Sequence, residues 1–134
     1  MKNKYLALFF YFVMFSHASH AKLNIGLVLD KGGKDDKSFN SAAYEGAKKA
    51  QADFAINLKY VEAIDSNAIE SLHRSFANKN YDLIIGIGFA QTDAVKKIAT
   101  LYPQKKFAIV DGEIQAANVK SLLFEEHEGS FLVG

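Results

Sequence analysis

Residues 81–112, YDLIIGIGFAQTDAVKKIATLYPQKKFAIVDG, hold two short apolar runs on either side of one amphipathic stretch. Tyr81 to Ile87 (YDLIIGI) and Lys106 to Val110 (KFAIV) are rich in Ile and Val and too short for buried helices, which predicts strands. Between them, Gln91 to Tyr102 carries Ala94, Val95, Ile98, Ala99 and Leu101 at helical spacing, and Pro103 ends the helix. Both strands are almost continuously apolar, as strands covered on two faces are, so the segment reads as a β-α-β unit of a parallel sheet.

The same alternation extends in both directions. Upstream, Leu23 to Leu29 (LNIGLVL) reads as a buried strand. Ser38 to Phe54 reads as a helix with Phe39, Ala42, Ala43, Ala47, Ala50 and Phe54 on one stripe. Leu58 to Ala63 is a further strand, and Ser66 to Asn78 a helix presenting Ile69, Leu72, Phe76 and Ala77. Downstream, Val119 to Phe124 (VKSLLF) is a fifth strand, and another helix begins near Glu128. Strands alternating with helices predict an α/β domain with a doubly wound parallel sheet. No internal repeat or low-complexity segment interrupts it.

Composition narrows the chemistry. At 134 residues and 49% hydrophobic, the chain suffices for one globular core and is too short for two. It has no cysteine, which excludes disulfides, thiolate metal sites, thiol nucleophiles and lipid attachment at an amino-terminal cysteine. The first 21 residues differ from the rest: Lys2 and Lys4 precede an apolar run from Tyr5 to Phe15, and Ser16 to Ala21 offers small residues for cleavage after Ala21. This pattern predicts a secretory signal peptide over 1–21, since about 11 apolar residues fall short of the ~20 that span a bilayer. A periplasmic or otherwise extracytoplasmic address follows. Without Lys2 and Lys4, 14 basic residues face 15 acidic ones, and no basic stripe suits nucleic acid.

In doubly wound sheets, ligands bind beyond the carboxyl ends of the strands, where strand order reverses. Three such ends carry polar or glycine-rich sequence: Asp30 to Asn40 after the first strand, Gly86 to Gln91 after the third, and Asp111 to Glu113 after the fourth. Asp30 and Asp111 each follow a strand directly, as carboxylates facing one crevice or as helix caps. Gly32-Gly33 and Gly86-x-Gly88 allow close backbone approach, yet neither phosphate-loop pattern occurs, and Asp35 and Asp36 repel anions; an uncharged ligand fits best. Phe39 starts a helix beside Ser38, a candidate N-cap; its ring either stacks on a planar base or packs with Ala42 and Ala43. Phe89 and Tyr44 read more readily as core. His73 and His127 lack partners at ligand spacing, and His17 and His20 fall in the leader, so no metal site, cofactor or catalytic triad is expected.

Ile25 to Ala50 (IGLVLDKGGKDDKSFNSAAYEGAKKA) resembles the opening signature of the basic membrane protein family, the PnrA-like nucleoside-binding proteins of ABC importers. Ile84 to Val95, Tyr102 to Gly112 and Val119 to Gly134 are similar to further landmarks of that family, in order along the whole segment after Ala21. The resemblance implies the first lobe of a type I periplasmic-binding-protein fold, non-enzymatic, closing with a second lobe on a purine nucleoside such as adenosine, guanosine or inosine, and delivering it to a membrane ABC permease. It implies Asp30 and Asp111 as polar contacts, with the one meeting ribose left open. Phe39 becomes one of two aromatics sandwiching the base, with Gly88 and Phe89 beside the pocket. Asn40 and Ser38 match the motif as ligand contacts or as loop supports, and Asp36 as a structural residue. Family chains run longer and many carry a lipidated cysteine, so the expectation for residues 22–134 is an incomplete lobe without its second half. The alternatives are an inactive product of a disrupted gene and a flavodoxin- or receiver-like domain.

Overall fold

The computed structural model describes residues 21–125. The leader over 1–21, except Ala21, and the helix expected from Glu128 lie outside the described residues. The elements run β1 (Leu23–Leu29), α1 (Phe39–Asp53), β2 (Ile56–Glu62), α2 (Ser66–Ala77), β3 (Leu83–Ile87), α3 (Thr92–Leu101), β4 (Lys106–Val110) and β5 (Val119–Leu122). Short 3-10 turns at Gly33–Asp35 and Phe89–Gln91 lead into α1 and α3 and were not legible in the sequence.

The five strands are parallel, in the order β2-β1-β3-β4-β5. From β1 the chain steps outward to β2, then passes back over β1 to β3 and continues the opposite way to β4. Right-handed crossovers put α1 on one face of such a sheet and α2 and α3 on the other. Side chains obey that division. Val28, Ile84, Phe107 and Ile109 pack with Phe76, Val95 and Ile98 of α2 and α3. Leu27, Leu29 and Ile87 pack beneath Phe39, Ala43, Tyr44 and Ala47 of α1. Period-two alternation along each strand thus serves two cores at once.

The two faces are unequally filled. Ile69, His73, Phe76 and Ala77 of α2 and Val95, Ile98 and Ala99 of α3 are buried, whereas Asn40 is the buried residue of α1. The Tyr44 ring meets Tyr60 edge-on at 4.8 Å, so α1 leans on the β2 side of its face. Several stripe assignments need correction: Ala42, Phe54 and Leu101 are exposed, because α1 touches the sheet along a narrow line and Leu101, the last residue of α3, lies off the face that carries Val95, Ile98 and Ala99. β4 and β5 are joined by residues 111–118 without a helix; buried Ile114 fills the helix's place on the α3 face, and Ser121 Oγ accepts from the Ile114 amide at 2.9 Å.

Gly26, in the middle of β1, shows how closely α2 sits. A methyl group there would lie 2.9 Å from Cγ of the Phe76 ring, which is itself wedged edge-on against Tyr81 at 4.6 Å. Substituting Gly26→Ala is expected to cost about 1–3 kcal/mol through overpacking, read from urea unfolding midpoints. An unchanged midpoint would show that α2 has room to retreat.

Candidate functional site

The strand order reverses between β1 and β3, so their carboxyl ends part and leave a fork. Asp30 stands at one tip and Gly88 at the other. A methyl group on Gly88 would approach Asp30 Oδ2 to 3.5 Å, and Gly88 has φ of 99°, backbone space that favours glycine. Its amide donates to Val110 O at 2.9 Å, which brings the end of β4 alongside. Asp111 follows in a left-handed conformation (φ 63°), its amide tied to Leu122 O at 2.8 Å. Three carboxyl ends, carrying Asp30, Gly88 and Asp111, therefore sit side by side on one rim.

Phe39 reaches the same rim from the α1 face. It packs against the cluster of Leu27, Leu29 and Ile87, the last two ending β1 and β3, and its ring meets that of Phe124 edge-on at 6.0 Å. Phe39 is half-buried, packed in part against the core as the packing alternative expected. Phe89, which the sequence suggested as core, is 73% exposed on the turn after Gly88. Asp30 and Asp111 are half-buried, and among the described residues the Asp111 carboxylate has no hydrogen-bond partner. Asp30 Oδ1 accepts from the Lys31 amide at 2.7 Å.

The loop from Asp30 to Asn40 is organised by Asp36 rather than Ser38. Ser38 occupies the N-cap position, but its side chain makes no capping bond. Instead the Asp36 carboxylate accepts from the amides of Ser38 (2.8 Å), Asn40 (3.0 Å) and Ser41 (3.0 Å) and from Asn40 Nδ2 (3.0 Å). Desolvation pushes this carboxyl up, and the hydrogen bonds from Ser38, Ser41 and Asn40 outweigh it and hold the group at about 2. Asn40 is buried between the loop and β1: besides donating to Asp36, its Oδ1 accepts from the Asp30 amide at 2.9 Å. The motif match at Asp36 and Asn40 is thus a brace that fixes where Asp30 and Phe39 stand.

Beneath the fork lies a pair that sequence reasoning missed. His73 of α2 and Gln91 before α3 are both fully buried, with His73 Nε2 and Gln91 Oε1 2.7 Å apart. Gln91 Nε2 donates to Val28 O at 3.0 Å and to Ile87 O at 2.8 Å. With both amide hydrogens so spent, the carbonyl end must accept, so the proton on His73 sits on Nε2, and Nδ1 is a buried acceptor without a partner among the described residues. Burial lowers the His73 pKa to about 4, against an opposing push from the Gln91 hydrogen bond. The helical stripe through Ile69 and Phe76 was the one available signal for His73; nothing local marks Gln91.

The rim offers two half-buried carboxylates, a glycine turn at Gly88 and the half-buried ring of Phe39, a set that suits a neutral ligand with hydroxyl or N–H donors and a flat ring. A separate surface hollow of about 320 Å³ lies between α2 and α3, lined by Ser66, Asn67, Glu70, Asp93 and Lys97 among others, but Lys97 and Glu70 neutralise each other across it at 2.8 Å. Among the described residues no cluster of His, Cys, Asp and Glu is placed to hold a metal ion. No aspartate stands at the carboxyl end of β3, where a phosphoacceptor would need one.

Residues 23–134 match the family model described as ABC transporter substrate-binding protein PnrA-like. Basic membrane protein A of Borreliella burgdorferi is 34% identical, over 82% of this chain and 33% of that protein. The ABC transporter nucleoside-binding protein BmpA of Lactococcus lactis is 31% identical, over 84% of this chain and 33% of that one. An uncharacterized lipoprotein of Pyrococcus abyssi is 32% identical, over 84% of this chain and 29% of its own length. Among solved structures, an ABC transporter solute-binding protein of Aeropyrum pernix superposes with a TM-score of 0.77 at 32% identity, covering 83% of this chain and 31% of the other. The chain spans about a third of the length of the curated relatives it matches.

The neutral, buried state of His73 makes a pH prediction. An unfolded histidine takes up a proton below about 6.5, whereas the folded site refuses it until about 4. Stability is therefore complete above about pH 6.5 and falls as pH drops toward 4, by about 3 kcal/mol. Asp36 contributes in a separate window, from the usual carboxylate range down to about 2. Urea unfolding between pH 7 and 4.5 isolates His73, and a flat profile there would mean the ring is not held neutral.

Proposed function

Because the chain belongs to the PnrA-like family of ABC transporter substrate-binding proteins, we propose that its rim binds a purine nucleoside for delivery to a membrane permease, without chemical change. The observation that carries this reading is the juxtaposition of Phe39 with two strand-end carboxylates across a glycine. A purine lies flat on Phe39, and the hydroxyls of ribose, or a ring N–H, donate to Asp30 and Asp111. Gly88 keeps the space beside Asp30 free of a side chain, and Phe89 stands exposed next to it. Asn40 acts on the ligand indirectly, by fixing the Asp30 amide. A neutral nucleoside suits a rim whose strand ends carry two carboxylates. One relative is named as nucleoside-binding, which supports the same choice.

In this reading the 22–134 lobe forms one wall, and a second lobe, in the part of the relatives that this chain does not span, supplies the other. Hinge closure between lobes buries the ligand and creates the surface a permease recognises. The leader over 1–21 sends the protein out of the cytoplasm.

One wall gives a single stacked face, about 1–3 kcal/mol, and a few wet hydrogen bonds of about 1 kcal/mol each. Calorimetric titration of the chain with adenosine, guanosine and inosine is expected to give dissociation constants near millimolar. Phe39→Ala is expected to weaken binding by about tenfold or more. Submicromolar affinity would contradict the one-wall account, and equal binding by Phe39→Ala would contradict the placement of the base.

A further inference from the structure

Buried polar side chains are costly unless fully paired, and an apolar residue of similar size usually packs as well. Among the described residues, three polar side chains are buried: Asn40, His73 and Gln91. They come from three different elements, yet their bonds converge on one place. From the α1 face, Asn40 Oδ1 takes the Asp30 amide. From the opposite face, Gln91 Nε2 takes Val28 O, two residues earlier on β1, and at the same time Ile87 O, the last residue of β3. His73 touches neither strand's backbone by hydrogen bond; it holds Gln91 Oε1.

The pairing of β1 with β3 ends at Val28↔Gly86. Beyond it, the strands part toward Asp30 and Gly88. The Gln91 carboxamide bridges the gap where the ladder stops, so its two N–H groups set how far the fork opens. Its orientation is not free: Val28 O and Ile87 O both need a donor, which forbids the flipped amide, and His73 then holds the oxygen end through Nε2. The ring and the carboxamide oxygen also fit closely against Gly86, where a methyl group would lie 3.2 Å from His73 Cε1 and 3.1 Å from Gln91 Oε1.

We propose that Gln91, backed by His73, is a positioning residue for the ligand-binding rim, a clamp across the β1–β3 fork that fixes the separation of Asp30 and Gly88. The proposal rests on the reading of that rim as the ligand site, and assigns to two buried residues a part in ligand affinity although neither touches the ligand. It explains why the protein keeps a glutamine and a neutral histidine in an apolar core where Leu or Met would fill the same volume.

The test compares Gln91→Met, which keeps the shape and loses both donors, with Ile98→Val, a core truncation on α3 that removes no polar contact. Both folded chains are followed by amide NMR, with adenosine as the titrant. Gln91→Met is expected to move the Asp30 and Gly88 amide resonances and to weaken adenosine binding about tenfold, while Ile98→Val lowers stability and does neither. Unmoved Asp30 and Gly88 amides with wild-type affinity in Gln91→Met would overturn the clamp. An equal affinity loss in Ile98→Val would overturn it too, by reducing Gln91 to a stability residue. Moved amides in a protein whose wild type does not bind adenosine would sink the nucleoside reading and leave the clamp standing. Should Gln91→Met fail to fold, the wild type carries the test: both Gln91 Nε2 protons are expected to exchange with solvent at the slow rate of the Asp30 and Gly88 amides. Much faster exchange would mean that the bridge does not hold the fork.

Discussion

A parallel sheet built outward in both directions from one strand pair has to come apart at that pair's carboxyl end, because the chain leaves β1 toward one side and β3 toward the other. Everything distinctive in this molecule lies within a few residues of that separation. Above it stand Asp30 and Gly88; beside it, β4 delivers Asp111; over it, α1 begins with Phe39. Below it, where an ordinary core would be apolar throughout, sit His73 and Gln91. The backbone groups that the fork exposes need partners, and side chains buried from both faces provide them.

The unequal packing of the two faces follows from the same arrangement. Val28, Ile84, Val95, Ile98 and Ile109 are fully enclosed under α2 and α3, each contributing roughly 1.5–3 kcal/mol by burial. That face is the rigid floor. The α1 face is thinner, its helix resting on Leu27, Leu29 and Tyr60, with the start of the helix committed to the rim. Asp36 gives that start its definition by gathering three amides and one side chain, which compensates for a helix that has few core contacts.

Much of this was legible in the residues alone, where periodicity was strong. β1 and β4 run over the residues that their apolar stretches marked, and α2 and α3 differ from expectation by one residue at the ends that moved. The strand after α1 begins two residues early, at Ile56, because Ile56 and Asn57 pair with Leu23 and Asn24 although they carry no strong apolar signal. The rim was legible too, since the first residue past each strand of a parallel sheet is known once the strands are. What periodicity could not supply was the direction of single side chains: Phe89, apolar and next to a strand, points to solvent, and Leu101 falls just past the buried arc of α3. Gln91 and His73 were invisible for a deeper reason. Each is an ordinary polar residue, eighteen positions from the other, and their meaning lies in a contact that exists only when α2 and the β3–α3 turn are packed together.

The likeness to PnrA-like substrate-binding proteins covers residues 23–134 as a whole, and the fork lies inside that stretch. The most direct measurement is a crystal structure of the chain grown with millimolar adenosine. The account predicts the purine stacked on the Phe39 ring with sugar hydroxyls or ring N–H within hydrogen-bond reach of Asp30 and Asp111. Adenosine seated instead in the hollow between α2 and α3, with the fork empty, would contradict it.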